Sequence, residues 1–224
     1  MEKIKILDVL AWIWRGKSIT RAMMNVLIAE NKLLKGTIID LGGGGHPSYL
    51  DIIDIDGNFF NMDMLVEAKP SFVGNLEDPL PITSNIADTV LLFNTLEHVF
   101  NYQLVIDEMH RILKPNGKAI VFVPFLMSYH TYQGQSFLID DFFRYTKSAL
   151  IRILTNAGFI KVNITPVGGF FWVIADLLQI GLKYRFLATV STLICGFLEV
   201  ILALIRDYNS SERFPLGYFI EAEK

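Results

Sequence analysis

Four consecutive glycines at positions 42–45 follow a short apolar run that contains one acidic residue, Asp40. The run at residues 37–41 is typical of a buried strand. Glycines placed after a strand make a turn without Cβ atoms, which can adopt positive φ and lets another molecule touch the backbone. The pattern therefore indicates a loop that holds a nucleotide-like cofactor, and a purely structural turn is the alternative.

The spacing of these glycines excludes two common nucleotide loops. A dinucleotide-binding G-x-G-x-x-G turn would need its third glycine at position 47 or 48, where the chain has Pro47 and Ser48. The G-K-[ST] ending of a P-loop is absent from the stretch as well. The pattern that fits is D-x-G-x-G, formed by Asp40, Gly42 and Gly44.

The elements that must position this loop alternate between apolar runs and helix-like stretches. Residues 3–34 repeat apolar side chains at steps of three and four, which predicts one or two N-terminal helices ended by Gly36. Strands are predicted at residues 37–41, 59–62, 71–73, 89–93, 118–123, 160–165 and 217–224. Helices are predicted at residues 48–53, 102–113 and 148–157. This alternation predicts an α/β fold with a doubly wound, mostly parallel sheet, whose ligands bind at the C-terminal ends of the strands.

Composition limits the functional classes. The 224 residues allow a single domain with a large core, and the mean hydropathy of +0.39 is high for such a domain. A net charge of −3 does not indicate the basic surface that is typical of nucleic-acid-binding domains. Cys195 is the only cysteine, so a disulfide framework and a multi-thiolate metal site are excluded. The N-terminus lacks a signal-peptide layout, and we expect a reducing, cytoplasmic setting.

Five stretches, in this order, resemble the class I S-adenosylmethionine-dependent methyltransferases. They are TIIDLGGGG, FFNMDM, VGNLEDPLPI, DTVLLFNTLEHV with its continuation EMHRILKPNGKAIVFVPF, and DDFFRYTKSALIRILTNAGF. The resemblance covers about residues 36–166 and the last eight, and it is closest to the small-molecule "type 11" branch. It implies a Rossmann-like sheet of seven strands with the last one antiparallel, and S-adenosylmethionine as the cofactor.

The resemblance assigns roles to the glycine loop and to two acids. Gly42, Gly43 and Gly44 would let the backbone approach the methionine part of the cofactor. Asp63, 23 residues after Asp40, would accept two hydrogen bonds from the ribose diol, as the acid of dinucleotide folds does. Asp40 would brace the loop or meet the ammonium group of the cofactor.

Two other acidic residues near the second predicted strand could bind the ribose instead of Asp63. Asp54 and Asp56 are rivals to Asp63, but they come too early and in a predicted polar turn.

The adenine and methionine ends of the cofactor would meet Asn75, Leu76 and Asn94. The family usually has an acid where this chain has Asn75, so an amide oxygen would bind the adenine amino group, or Glu77 or Asp78 would substitute for it. Asn94, at the end of the fourth strand, would face the methionine end.

The four histidines are the candidates for proton transfer. His130 follows the fifth strand, where the acceptor should enter, and is the candidate base, with loop packing as the alternative. His98 matches a family position that is often structural, and His110 is expected at the surface. His46 would cover the cofactor loop or cap a turn. No spacing typical of metal ligands is visible, so no metal is predicted.

An apolar stretch at residues 168–206 separates the sixth strand from the last. Residues 186–205 are long and apolar enough for a membrane span, with Glu199 as their only charge. A single crossing would place two strands of one sheet on opposite sides of the bilayer, which argues against a simple span. We expect helices that lie on a membrane surface, or that cover the active site or a second copy. Lys183, Arg185 and Arg206 could then meet lipid headgroups, joined by Trp12 and Trp14.

These observations predict one methyltransferase domain over residues 1–224. Its parts are N-terminal helices (1–35), a cofactor-binding core (36–167), the apolar helical insertion (168–207) and the final strand (208–224). The expected function is methyl transfer from S-adenosylmethionine to an oxygen, nitrogen or carbon of a small-molecule or lipid-like acceptor. The alternative is a non-catalytic, membrane-associated or partner-binding module with the same fold.

Overall fold

The computed structural model describes residues 6–30, 33–45, 47–133, 138–182, 184–206 and 210–224. The chain divides into two compact units. The sheet unit comprises Asn31–Val123, Tyr129–Thr165 and Phe219–Lys224, and the helical unit comprises Met1–Glu30, Pro124–Ser128 and Pro166–Tyr218. That the chain is a single methyltransferase domain stays a prediction.

The strands and helices have the following bounds. The strands are β1 (Leu33–Leu41), β2 (Asp54–Asp63), β3 (Phe72–Val73), β4 (Ala87–Phe93), β5 (Leu113–Pro124), β6 (Tyr132–Gln133), β7 (Leu138–Ile139), β8 (Ile160–Gly168) and β9 (Pro215–Glu223). The helices are α1 (Ile6–Trp14), α2 (Ile19–Glu30), α3 (Tyr102–Ile112), α4 (Lys147–Asn156), α5 (Phe170–Gly181), α6 (Arg185–Arg206) and α7 (Ser210–Arg213). Short 3₁₀ turns occupy Ser48–Asp51, Val66–Ala68 and Leu96–His98.

Seven strands form one sheet in the order β3-β2-β1-β4-β5-β9-β8. The pairs β3-β2, β2-β1, β1-β4 and β4-β5 are parallel. The last strand, β9, is antiparallel to its neighbour β8. This direction is seen from the ion pair between Lys161, near the start of β8, and Glu223, at the end of β9, whose Nζ and Oε1 atoms are 2.9 Å apart. The predicted Rossmann-like fold with an antiparallel last strand is therefore confirmed.

The strand order places a topological switch point between β1 and β4. The chain moves outward from β1 through β2 to β3, and then returns to the other side of β1 as β4. Strand β4 and the last four residues of β1, Ile38–Leu41, are buried on both faces, which agrees with their mostly apolar sequence. A crevice at the carboxyl ends of β1 and β4 is where such sheets bind ligands.

The sequence predicted that Gly36 ends the N-terminal helical region, and the structure shows that it does not. Helix α2 ends at Glu30, and Gly36 lies inside β1 with φ +80°. A Cβ atom at Gly36 would lie 2.6 Å from Cγ of Asp88, whose carboxylate accepts a hydrogen bond from the Thr37 N–H at 2.7 Å. The glycine is thus explained by a side chain on the neighbouring strand.

Two further elements differ from the sequence prediction. Asp54 and Asp56 lie in the first part of β2 and not in a polar turn. The antiparallel pair β6-β7 was not predicted, because each strand has only two residues. The short turn after the glycine loop, Ser48–Asp51, agrees with the predicted residues 48–53.

The helical unit contains α1, α2, α5, α6 and α7. Helix α5 packs on α6, and Glu199 of α6 accepts a hydrogen bond from the Phe171 N–H at 2.8 Å. Apolar side chains spaced along α6 at seven, four and three residues remain exposed, namely Phe186, Leu193, Phe197 and Val200. No helix among the described residues is both long and apolar enough to cross a bilayer.

Candidate functional site

The glycine loop lies at the carboxyl end of β1, beside the end of β2. The Gly42 N–H donates a hydrogen bond to the Met62 carbonyl at 2.8 Å, so the loop begins as a continuation of the sheet. Gly42 and Gly44 have φ of +79° and +66°, a region that glycine enters without strain. A Cβ atom at Gly42 would also lie 2.7 Å from Oγ1 of Thr95, which follows β4. The turn therefore needs glycine for backbone and packing reasons.

Asp40 braces the loop from within the sheet unit. Its side chain is 0% exposed, and its carboxylate accepts a hydrogen bond from the hydroxyl of Tyr49, which is also buried. A Cβ atom at Gly43 would lie 2.5 Å from Cγ of Asp40 and 2.9 Å from the Tyr49 hydroxyl oxygen. Of the two roles expected for Asp40, this contact matches the structural one.

Asp63 holds the tip of the same loop from the end of β2. Its Oδ2 accepts the Gly44 N–H and its Oδ1 accepts the Leu65 N–H, each at 2.9 Å. Asn61 adds a hydrogen bond from Nδ2 to the Gly44 carbonyl at 2.6 Å. Each carboxylate oxygen can accept a second hydrogen bond, so Asp63 keeps the capacity to bind a diol.

A cavity of about 520 Å³ lies at this edge of the sheet, within the 300–1,000 Å³ typical of small-molecule sites. Seven of the sequence-predicted residues line it: Gly42, Gly43, Gly44, Asp63, Asn75, Leu76 and Asn94. Asp40 and His130 are not among its lining residues. The predicted cofactor residues are thus brought together, and the predicted base lies outside the cavity wall.

The cavity has room for a ligand against the glycine backbone. A Cβ atom built at Gly44 would meet nothing within 4 Å, although this residue lines the cavity. Asn75 and Glu77 are engaged in local turns, since Asn75 Oδ1 accepts the Glu77 N–H at 3.0 Å. The Glu77 carboxylate accepts the N–H groups of Phe100 and Asn101 at 2.7 and 3.1 Å. Glu77 therefore supports the cavity wall in this structure.

Beside the cavity lies a group of charged and ionisable side chains, which we call the Glu97 cluster: Glu97, His98, His130, Asp141 and Arg144. Glu97 and Asp141 have fully buried side chains. Arg144 donates two hydrogen bonds to the Asp141 carboxylate. Burial raises the pKa of Asp141. The hydrogen bonds from Arg144 and from the His130 N–H lower this pKa and together outweigh burial, so the net shift is downward. Asp141 is therefore ionised at neutral pH.

The two histidines of the cluster face each other at the edge of the cavity. Their ring centroids are 4.9 Å apart and their planes are nearly perpendicular. His98 lines the cavity and its Nδ1 lies 2.7 Å from the Asp140 carbonyl oxygen. Sequence reasoning had favoured a structural role for His98 and had not considered Glu97. The adjacent letters "EH" at the end of a strand were the signal that could have drawn attention to both.

The other two histidines, His46 and His110, are not among the residues that define the Glu97 cluster. His110 is half-buried against Phe159, with ring centroids 5.2 Å apart, so it lies only partly at the surface. Burial lowers the pKa of His110, and the charge of Lys224 adds to that effect. His46 lies outside the described residues.

Comparisons with known proteins agree with this geometry. Residues 44–121 match a family model described as a methyltransferase domain. No curated protein matches the chain closely enough to count as a relative.

Solved structures of methyltransferases share the fold. A phosphoethanolamine N-methyltransferase 2 from Haemonchus contortus, solved with S-adenosyl-L-methionine, aligns with a TM-score of 0.60 at 16% identity over 98% of this chain. The chain spans 56% of that protein's length. A SAM-dependent methyltransferase from Thermotoga maritima aligns with a TM-score of 0.53 at 16% identity, over 98% of both chains. The [4+2]-cyclase SpnF aligns with a TM-score of 0.58 at 18% identity, over 92% of this chain and 81% of its own.

Fold and site together define a Rossmann-like protein with a ligand cavity at its topological switch point. The methyltransferase-domain match and the strand order confirm the resemblance of this chain to the class I S-adenosylmethionine-dependent methyltransferases.

Proposed function

We propose that this protein is an S-adenosylmethionine-dependent methyltransferase that acts on a small-molecule or lipid-like acceptor. The observation that carries the proposal is the cavity at the switch point, with Asp63 on one side and open space over Gly44. The family match over residues 44–121 supports methyl transfer as the class of reaction. The identity of the acceptor atom, oxygen, nitrogen or carbon, is open in this proposal.

The residues that would hold the cofactor follow from the cavity wall. Asp63 would accept hydrogen bonds from the ribose diol, while Gly44 would present bare backbone to the methionine part. Asn75 and Leu76 would lie against the adenine, and Asn94 would lie at the methionine end. The cofactor supplies a methyl group that is already activated, so the protein chiefly has to align the reactants and exclude water.

His130 remains the proposed base for an acceptor that must lose a proton. Its side chain is 32% exposed, and its Nδ1 lies 3.4 Å from Oδ2 of Asp141. Nη2 of Arg144 lies 3.5 Å from the same Nδ1, so the Asp141–Arg144 pair orients the ring from its Nδ1 side, and Nε2 is the atom that would accept the proton. The variant His130→Ala should then lose turnover while keeping its affinity for S-adenosylmethionine, and unchanged turnover would remove His130 from the mechanism.

Calorimetric titration with S-adenosylmethionine tests the proposal. We expect micromolar binding by the parent protein and at least tenfold weaker binding by Asp63→Asn, because the amide offers one acceptor oxygen in place of two. Asp54→Asn is the matched control, since it makes the same change at the exposed other end of the same strand. Absence of binding by the parent, or equal binding by Asp63→Asn, would contradict the proposal.

The alternative is a non-catalytic module that keeps the fold. The [4+2]-cyclase SpnF is an example of a protein that shares this fold and whose name does not describe methyl transfer. A protein that binds no S-adenosylmethionine but retains a partner or membrane contact would support this alternative over the enzyme.

We also infer a contact surface on the helical unit, formed by the exposed apolar residues of α6 (Phe186, Leu193, Phe197 and Val200). A stripe of this kind can lie in the interface of a bilayer, with a second copy of the chain as the alternative occupant. Flotation with liposomes of phosphatidylcholine and phosphatidylglycerol tests the first, and light scattering measures the mass for the second. A protein that stays monomeric in the soluble fraction would contradict both. The side chains of Arg185 and Arg206, and residue Lys183, lie outside the described part of the chain.

A further inference from the structure

Three side chains of the Glu97 cluster have potential metal-ligand atoms close to one another. The Oε1 atom of Glu97 lies 3.8 Å from Nε2 of His98 and 3.8 Å from Nε2 of His130. One ligand atom from each of these residues lies within 4.8 Å of the others. The two 3.8 Å separations are longer than hydrogen bonds and exceed by about 0.5 Å the ~3.3 Å between two ligand atoms that share a tetrahedral zinc ion at about 2.0–2.1 Å, so binding of an ion would draw the three side chains together.

The second ring nitrogen of each histidine is held by a neighbouring polar group. His98 Nδ1 lies 2.7 Å from the Asp140 carbonyl oxygen, which can only accept, so Nδ1 carries the proton and a neutral ring leaves Nε2 with its lone pair. Histidine ligands of metals usually donate their other ring N–H to a carbonyl or carboxylate in this way. The Nδ1 of His130 lies 3.4 Å from the carboxylate of Asp141 and 3.5 Å from Nη2 of Arg144, so this pair orients the ring from the side opposite Nε2.

The charges around this point also suit a cation. Glu97 has a fully buried carboxylate, and a negative charge in such surroundings attracts a cation more strongly than it would in water. The guanidinium of Arg144 has its Nη2 3.5 Å from His130 Nδ1, on the side away from Nε2, and its positive charge also interacts with Glu97. Arg144 is neutralised by its two hydrogen bonds to Asp141, so its repulsion of an ion at Glu97 is reduced.

We propose that Glu97, His98 and His130 bind a divalent transition-metal ion of the zinc, cobalt or manganese class. Two imidazoles and one carboxylate form a donor set that these ions prefer, whereas magnesium and calcium prefer oxygen ligands. Three protein ligands leave further coordination positions open. Because His98 also lines the cavity, the ion would lie beside the space in which an acceptor is expected. Because the ion would occupy Nε2 of His130, the metal site and the base role proposed above are alternatives for this residue, and metal binding that is lost in His130→Ala decides for the metal site.

Metal binding by the chelator-treated full chain tests the proposal. We expect one equivalent of Co²⁺ to bind and to give visible absorption bands, and Zn²⁺ to displace it in calorimetry. Glu97→Gln and His130→Ala should each weaken binding at least tenfold, and His130→Ala changes a partly exposed side chain, so it should leave the fold intact. His110→Ala is the control, because this histidine lies outside the cluster, and it should bind as the parent does.

Two results would overturn the inference. One is the absence of Co²⁺ or Zn²⁺ binding by the parent chain at tens of micromolar metal. The other is binding that survives both Glu97→Gln and His130→Ala, which would place the ion elsewhere. A titration of the metal-free chain with S-adenosylmethionine separates this inference from the proposed function. Cofactor binding without metal binding overturns the metal site alone, and one equivalent of metal without cofactor binding supports the metal site while overturning the proposed function.

Discussion

Replacing either of two adjacent glycines in the loop after β1 by alanine should affect mainly stability at Gly43 and mainly cofactor binding at Gly44. In Gly43→Ala the new Cβ atom would lie 2.5 Å from Cγ of Asp40 and 2.9 Å from the Tyr49 hydroxyl oxygen. An ordinary contact needs about 3.5 Å, so the Asp40 carboxylate would have to move by about 1 Å. That movement disturbs its buried hydrogen bond with Tyr49. In Gly44→Ala the Cβ atom would meet nothing within 4 Å.

The magnitudes follow from these contacts. Overpacking costs about 1–3 kcal/mol, and weakening a hydrogen bond to a buried charge costs about 1.5–3 kcal/mol. We therefore expect Gly43→Ala to lower the free energy of unfolding by about 3–5 kcal/mol. In Gly44→Ala the only expected loss of unfolding free energy comes from placing alanine at a positive φ of +66°, about 1–2 kcal/mol. Its methyl group would occupy the cavity, so S-adenosylmethionine binding should weaken at least tenfold.

Thermal unfolding and calorimetric titration of both variants would measure the two effects. The difference in unfolding free energy, about 2–3 kcal/mol, corresponds to about 4–12 °C in melting temperature for a chain of this size. Equal melting temperatures for the two variants would refute the assignment of Asp40 and Tyr49 as the brace of the loop. Undiminished cofactor binding by Gly44→Ala would refute the open space over Gly44 as part of the site.

Two buried carboxylates should give opposite dependences of stability on pH. Hydrogen bonds from Arg111 outweigh burial and lower the pKa of Glu108, so its stabilisation is present at neutral pH and is lost as the pH falls through that lowered pKa. Glu108→Gln should cost about 1.5–3 kcal/mol at pH 7 and progressively less below about pH 4, and a pH-independent loss would contradict the ion pair. Burial raises the pKa of Asp176, and the hydrogen bonds with Thr20 offset this only in part. The folded state therefore binds that proton more tightly than the unfolded state, and stability falls as the pH rises from the unfolded pKa to the folded one. Relative to the parent, Asp176→Asn should gain more stability at pH 8 than at pH 4, measured by melting temperature, and a constant difference would contradict the shift.

Much of the sheet was predictable because its signals are local. The continuous apolar runs that became β4 and β5 are short and lie between turn residues, which is typical of strands buried on both faces. Asp63 was predictable because it ends such a run at a fixed distance from the glycine loop. The chain direction within a parallel sheet then places both at one edge, without any detail of side-chain contacts.

Positions that depend on distant neighbours were not predictable in the same way. Gly36 has the local context of a helix end, and only the Asp88 carboxylate, 52 residues further on, shows why glycine is needed within β1. His98 and His130 are separated by 32 residues and by the whole of β5. They meet because the Glu97 carbonyl accepts the N–H groups of Phe142 and Phe143 at 2.8 and 3.3 Å, which ties the later loop to the turn after β4.

The sequence by itself determined the strand pattern, the bare turn at residues 42–45 and the acid at the end of β2, because these depend on apolar periodicity and on backbone freedom within a few residues. Tertiary structure alone decided which side chains share a site. It turned Asp40 toward Tyr49, opened space over Gly44, and gathered Glu97, His98 and His130 beside the cavity. The physical reason is that these contacts form across strands and loops far apart in the chain, where no local preference specifies the partner.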